Sequence, residues 1–230
     1  MLRSLAPSRR RKTNSQPVPE SAPKGDLAGG VEGGTRHAPA LSLVVIAASA
    51  GGMQALGTVL ASMPRGFPAA VLVVQHLDPR HKSLMADILA RRTTLDVAEA
   101  REGERLTPGQ VRIAPPDRHL LVNPDGSLGL SQSELVHFVR PSADLLFESA
   151  AAALGRHVVA VVLTGSGSDG AMGVTAVKKV GGTVIAQDEA TSDFFGMPGG
   201  AIRTGSVDFV LPLEEISTMI TSLVTGDVDE

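Results

Sequence analysis

Three polar side chains that could act together as a hydrolase each follow an apolar stretch of the chain. Ser49 follows the run LVVIAA, His76 follows AAVLVVQ, and Asp169 lies in the loop TGSGSDG that comes after VVAVVL. A hydroxyl, an imidazole and a carboxylate are the three groups of an acyl-transfer triad, in which the imidazole is the base and the carboxylate fixes its tautomer. These residues are therefore candidates for the nucleophile, the base and the orienting carboxylate.

Two of the three residues also permit other interpretations. Ser49 stands where a predicted strand gives way to a predicted helix, so its hydroxyl could simply cap that helix. His76, Asp78 and His81 form an H-x-D-x-x-H cluster that could hold a metal ion. Pro79 lies between the two histidines and prevents a helix from aligning them, so we predict no metal site.

A glycine pattern competes for the region of Asp169. Gly165, Gly167 and Gly170 fit G-x-G-x-x-G between a predicted strand and a predicted helix. Asp188 follows at the end of the next strand, as in the dinucleotide-binding unit of an oxidoreductase. Asp169 argues against this alternative, because its carboxylate would face the pyrophosphate of the cofactor.

The elements that must position these side chains alternate between apolar runs and helical patterns. Uninterrupted apolar runs indicate strands buried on both faces, as in parallel sheets. The turn Asn123–Gly126 separates two short strands in the manner of a β-hairpin. We predict an α/β fold with a doubly wound, mostly parallel sheet, helices on both faces and an inserted antiparallel hairpin. Sites in such sheets form at the carboxyl ends of the strands.

Composition excludes several classes of function. The 230 residues include no cysteine, so disulfides, a thiol nucleophile and cysteine-bound zinc are ruled out. No apolar run approaches the roughly 20 residues of a membrane span, and we expect a cytoplasmic protein without membrane insertion. A net charge of −3 and an aromatic content of 3% are unsuited to nucleic-acid binding.

The first 40 residues differ from the rest of the chain. They are rich in proline, glycine, serine and arginine, carry a net positive charge and lack apolar periodicity. Such a segment cannot bury enough apolar surface to offset its ordering entropy. We expect a disordered basic tail over 1–40, a folded domain over 41–225 and a short acidic end over 226–230.

Short motifs along the folded segment resemble the catalytic domain of the chemotaxis protein-glutamate methylesterases of the CheB type. The resemblance extends from Leu43 to Ile216. In chain order it includes Ser49–Gly52, Gln75–His76, Pro108–Gly109, Ala114–Pro115, Asp117–His119, Arg140–Ser142 with Asp144, Leu163–Gly165, Ser168–Gly170, Ala186–Glu189 and Gly196–Pro198.

The resemblance implies a serine hydrolase whose triad is Ser49, His76 and Asp169, with no cofactor and no metal. Members of that family hydrolyse glutamyl γ-methyl esters on the cytoplasmic helices of chemoreceptors and release methanol, and some also deamidate glutamines there. Ala50 and Ser166 stand where threonine and methionine are common in the family. We expect a stand-alone domain without the usual receiver domain and of unassigned oligomeric state. A catalytically silent module that binds a signalling partner stays open as an alternative.

Overall fold

The structure is a computed structural model that describes residues 42–76 and 83–226. The predicted tail and most of the predicted acidic end lie outside these ranges. Asp78 and His81 of the H-x-D-x-x-H cluster also lie outside them, so the prediction about a metal site falls on residues that the structure does not describe.

Within the described residues, seven strands form one sheet in which all neighbours run parallel, and two further strands form a separate antiparallel hairpin. The strands are β1 (Leu43–Ala48), β2 (Ala70–Gln75), β3 (Asp96–Glu99), β4 (Gln110–Ile113), β5 (His119–Val122), β6 (Leu128–Ser131), β7 (Val158–Val162), β8 (Thr183–Gln187) and β9 (Phe209–Leu211). The helices are α1 (Gly52–Ala61), α2 (Met85–Ala90), α3 (Ala143–Leu154), α4 (Ala171–Lys179), α5 (Gly196–Arg203) and α6 (Leu213–Thr225). The predicted fold class is confirmed.

The strand order β3-β4-β2-β1-β7-β8-β9 places β1 at the centre of the sheet. The chain first moves outward from β1 through β2, and it later returns to the other side of β1 with β7. A crevice opens at the carboxyl ends of the strands where the direction of winding reverses, and open α/β sheets bind their ligands there. In this fold the reversal lies between β1 and β7.

Two apolar layers cover the faces of the sheet. In β1, Val45 and Ala47 pack with residues of α3, α4 and the hairpin, whereas Val44 and Ile46 pack with residues of α1, α2 and α6. All six residues of β1 are buried. Burial on both faces explains why its sequence is continuously apolar and does not alternate.

One predicted element is wrong. The glycine-rich segment Gly196–Gly200 predicts a loop followed by a short helical turn near Ile202. The structure instead has a helix from Gly196 to Arg203. Pro198 is tolerated because it falls in the first turn, where the missing N–H has no helical partner. Gly196 is required by close packing, since a Cβ there would lie 2.9 Å from the amide nitrogen of Gly167.

No helix in the described ranges is both long enough and apolar enough to cross a lipid bilayer.

Candidate active site

Ser49 begins the tight turn that joins β1 to α1. Its N–H donates to the carbonyl of Thr164 at 3.0 Å, and its own carbonyl accepts from Gly52 N–H at 2.9 Å. Gly51 adopts φ 78°, a left-handed conformation that glycine reaches without strain. Gly51 is also the N-cap of α1, and no side chain of a described residue, Ser49 included, makes a capping hydrogen bond there. The interpretation of Ser49 as a helix cap is therefore wrong.

His76 follows β2, the strand next to β1, and lies beside the Ser49 turn. Its N–H donates to the carbonyl of Ala48 at 3.2 Å. The Nε2 of Gln75 donates to the carbonyl of Ser49 at 2.7 Å and to the carbonyl of His76 at 3.1 Å. One buried side-chain amide thus ties the backbone of the candidate nucleophile to the backbone of the candidate base.

Asp169 meets the imidazole of His76 from the far side of the crevice. The Nε2 of His76 lies 2.8 Å from Oδ2 of Asp169, and the two side chains are 14% and 4% exposed. The same Oδ2 accepts from Ala143 N–H at 2.7 Å. Oδ1 accepts from Ser142 Oγ at 2.9 Å and from Asp144 N–H at 3.1 Å. The carboxylate therefore has partners for both oxygens.

The carboxylate of Asp169 caps helix α3 from outside that helix. Ser142 occupies the N-cap position, but its hydroxyl makes no capping bond within α3. Asp169 instead accepts from two amides of the first turn, which have no partner inside the helix. The positive end of the helix dipole also favours an anion at this point.

These contacts keep Asp169 ionised. Burial by itself raises the pKa of the carboxyl, but hydrogen bonds from His76, Ala143 and Asp144 outweigh burial and hold the pKa below its ordinary value of 3.8. An ionised Asp169 accepts a hydrogen bond from the N–H that His76 then carries on Nε2. The Nδ1 of His76 is then the nitrogen with a free lone pair, which is the form that a general base needs.

Asp144 is a second buried carboxylate, next to Asp169 but in a different environment. Its Oδ1 accepts from Gly173 N–H at 2.8 Å. Its Oδ2 has no hydrogen-bond partner in the part of the chain that the structure describes and lies 3.6 Å from the Nε2 of His137. Burial, together with the charge of Asp169, raises the pKa of Asp144. The two neighbouring carboxyls therefore have pKa values shifted in opposite directions.

His119 in β5 holds the backbone of Ser142, the residue whose hydroxyl contacts Asp169. It is fully buried, and its Nδ1 accepts from Ser142 N–H at 3.1 Å while its Nε2 lies 3.1 Å from the carbonyl of Glu134. The acceptor role of Nδ1 places the ring proton on Nε2. His119 thus fixes the backbone of Ser142, whose hydroxyl reaches Asp169.

Thr164 joins the Ser49 turn to the segment that precedes α5. Its Oγ1 donates to the carbonyl of Ala50 at 3.1 Å and accepts from Phe194 N–H at 2.8 Å. The next residue, Gly165, leaves no room for a side chain. A Cβ there would lie 2.3 Å from Sδ of Met197 and 2.9 Å from Cβ of Ser49.

This geometry argues against the dinucleotide alternative. A pyrophosphate would occupy the N-terminus of the helix after the glycine pattern, which here is α4. That position already holds Asp144, which accepts from Gly173 N–H. The first glycine of the pattern is explained by its contact with Ser49, and Gly170 by its φ of 98° at the start of α4.

A cleft of about 720 Å³ opens beside the candidate nucleophile. This volume is within the range of sites that hold small ligands or substrate side chains. The residues described along it are Ser49, Gly51, Gly52, Met53, Gln54, Thr58, Gln75, Arg92 and Asp193.

An open α/β fold with a serine, a histidine and an aspartate at the carboxyl edge of its sheet is an arrangement typical of serine hydrolases. The family model described as CheB methylesterase matches residues 44–220, and the chain belongs to that family. The predicted resemblance is confirmed.

Individual relatives agree with this assignment. A protein-glutamate methylesterase/protein-glutamine glutaminase 2 of Anaeromyxobacter dehalogenans is 46% identical over 187 residues, which cover 81% of this chain and 54% of that protein. A protein of the same name from Pseudomonas aeruginosa is 38% identical over 218 residues, which cover 92% of this chain and 58% of that protein. The chain thus spans about half the length of these relatives.

A solved structure shows the same fold. The crystal structure of the Thermotoga maritima CheB methylesterase catalytic domain superposes with a TM-score of 0.77 at 40% sequence identity. The match covers 80% of this chain and 99% of that one.

Proposed function

We propose that the protein is a serine hydrolase that removes γ-methyl esters from glutamyl side chains of a protein substrate. Ser49 is the nucleophile, His76 the base and Asp169 the group that orients the base. The observation that carries the proposal is the 2.8 Å contact between His76 Nε2 and Asp169 Oδ2, beside the turn that holds Ser49. The relatives are named protein-glutamate methylesterases, which supports the choice of ester.

In the proposed mechanism, Nδ1 of His76 takes the proton of the Ser49 hydroxyl as its oxygen attacks the ester carbonyl. The methoxide leaves with that proton as methanol, and an acyl-serine is formed. Water then attacks the acyl-serine with the same base, and the glutamyl carboxylate is released. Asp169 stays ionised throughout and stabilises the imidazolium that forms twice in the cycle. A glutamine amide would follow the same path with ammonia as the leaving group.

The tetrahedral intermediate needs donors for its oxyanion, and two turns beside Ser49 are candidates, Ala50–Gly52 and Gly165–Gly167. The amides of Gly52 and Gly165 already donate to protein carbonyls. The other amides of the two turns donate to no carbonyl within residues 42–76 and 83–226, and we assign the oxyanion hole to them. Loss of one such donor typically lowers the rate by about 100- to 1,000-fold.

We infer that the substrate is the methylated cytoplasmic helices of a chemoreceptor, and that the protein acts in the cytoplasm. The family assignment supports this choice, as does a cleft that lies open beside Ser49 and can accept a side chain from a folded surface. We also propose that the catalytic domain is the segment 41–225, most of which the family model matches.

The test is methanol release from a receptor fragment that carries methyl-labelled glutamyl esters. We expect release by the full chain and no release above background by Ser49→Ala, with nearly unchanged melting temperatures. Ser62→Ala, an exposed serine at the end of α1, is the matched control and should retain full activity. Binding of the fragment without any methanol release would instead support a catalytically silent binding module.

A further inference from the structure

The cleft beside Ser49 carries two charged side chains that the proposed chemistry does not use. Arg92 follows helix α2, and Asp193 lies in the segment that precedes α5. Both side chains are exposed, and neither belongs to an ion pair among the described residues. As far as residues 42–76 and 83–226 are concerned, both charges are available to a substrate.

Arg92 lies against helix α1 at Gly57, where the lack of a side chain leaves a notch in the helix surface. Gly57 is buried in the middle of that helix, where a glycine is unfavourable. A Cβ at Gly57 would lie 2.7 Å from Nη1 of Arg92 and 3.2 Å from its Cδ. The missing side chain thus lets the guanidinium lie directly against the helix backbone. The notch restricts the position of a long side chain and presents its charge to the cleft.

Asp193 marks the end of the cleft close to the nucleophile, because it lies against Gly51 at the start of α1, whereas Arg92 lies against Gly57 further along that helix. A Cβ at Gly51 would lie 2.7 Å from Oδ2 of Asp193, and Gly51 is two residues after Ser49. A neutral methyl ester can approach this end, whereas a carboxylate would be repelled. The end of the cleft that favours an acidic side chain is therefore the end at Arg92.

We propose that Arg92 binds a carboxylate side chain of the substrate protein that neighbours the glutamyl methyl ester. This inference rests on the proposed function and adds to it a preference for acidic substrate segments. A guanidinium pairs with a carboxylate through two parallel hydrogen bonds, which gives direction as well as affinity. Asp193 reinforces the preference, because it excludes the carboxylate from the nucleophile end and so sets the orientation of the segment.

The experiment compares two synthetic peptides, each with one glutamyl γ-methyl ester, whose flanking residues are either glutamates or glutamines. We expect the full chain to hydrolyse the glutamate peptide with a kcat/KM about tenfold higher than that of the glutamine peptide, mainly because KM is lower. A tenfold difference is the size expected from a single well-formed ion pair. Arg92→Gln should reduce this ratio to about one. Arg91→Gln, the exposed neighbour that does not line the cleft, should keep the ratio.

Gly57→Ala is a second, independent variant. It keeps the charge of Arg92 but fills the notch, so the ratio should also fall. Equal hydrolysis of the two peptides by the unmodified chain, or an unchanged ratio in Arg92→Gln, would overturn the role of Arg92. The proposed function would survive that result, because turnover of the glutamine peptide measures it separately. If the unmodified chain hydrolyses neither peptide nor the receptor fragment, the proposed function and this inference both fail.

Discussion

Asp144 and Asp169 cap each other's helices, since each carboxylate accepts a backbone hydrogen bond from the helix at whose start the other residue lies. Asp169, just ahead of α4, accepts from the amides of Ala143 and Asp144 at the start of α3. Asp144, in the first turn of α3, accepts from Gly173 N–H in α4. This reciprocal capping fixes the relative position of the two helices, and it also fixes the carboxylate that meets His76.

The first prediction concerns Asp169→Asn. The pKa of Asp169 is lowered on folding, so its ionised form stabilises the protein above the unfolded pKa of about 3.9, and this stabilisation is lost as the pH falls through the lower folded value. At pH 7 the variant should lose about 1–3 kcal/mol of unfolding free energy. Urea titrations at several pH values should show this difference shrinking toward acid. A difference that does not change with pH would contradict the assignment of an ionised Asp169.

Asp144→Asn should have the opposite pH dependence. Burial raises the folded pKa of Asp144, so its contribution to stability is fully present below the unfolded pKa of about 3.9 and is lost as the pH rises through the folded value. An asparagine can still accept from Gly173 N–H. Relative to the unmodified protein, the variant should therefore gain stability as the pH is raised from about 4 to 7. The same urea series measures this, and a loss over that range would show that Asp144 is stabilised as an anion.

Ser142→Ala removes one hydrogen bond to Asp169 and leaves the amide bonds in place. We expect a loss of about 1 kcal/mol in unfolding free energy and a several-fold lower kcat for ester hydrolysis, because His76 is held by a less constrained carboxylate. Ser149→Ala is the control. Its hydroxyl binds Val122 and Leu146 in the same helix layer, away from Asp169, so stability should fall similarly while kcat is unchanged. Equal effects of the two variants on kcat would contradict a role for Ser142 at the site.

Gly165→Ala introduces a Cβ that would clash with the side chains of Met197 and Ser49. Met197 is flexible and can move away, whereas Ser49 is held by the strand end, 2.9 Å from the new atom. We expect kcat to fall at least about tenfold, as small displacements of a reacting group do. In the double variant Gly165→Ala/Met197→Ala, the melting temperature should partly recover without recovery of kcat. Full recovery of activity would show that the displaced group is Met197 alone.

The strands and the three candidate residues could be predicted because their signals are local. Apolar runs of six residues, such as β1, identify buried parallel strands, and a polar residue at the end of each run lies at one edge of the sheet. The resemblance added the specific assignment of Ser49, His76 and Asp169. Helix α5 could not be predicted, because its glycines and proline favour turns by local chemistry and the requirement for Gly196 comes from close packing against Gly167.

The partners of Asp169 could not be predicted in the same way. By local sequence, Ser142 is suited to cap a helix, but its hydroxyl bonds to Asp169, 27 residues further along the chain. Asp144 is suited to the first turn of that helix, yet its contact with Gly173 depends on how two helices pack. His119 lies at the entry of the hairpin, and its bond to Ser142 depends on how that hairpin packs against α3. Such contacts follow from tertiary packing, which spacing along the chain does not encode.

The central claim is that His76 activates Ser49. It is tested most directly by treating the full chain with a fluorophosphonate and locating the adduct by peptide mass spectrometry. We expect a single adduct on Ser49, and little or no adduct in His76→Gln, because the serine then has no base. An adduct on another serine, or labelling of Ser49 at an undiminished rate in His76→Gln, would contradict the account.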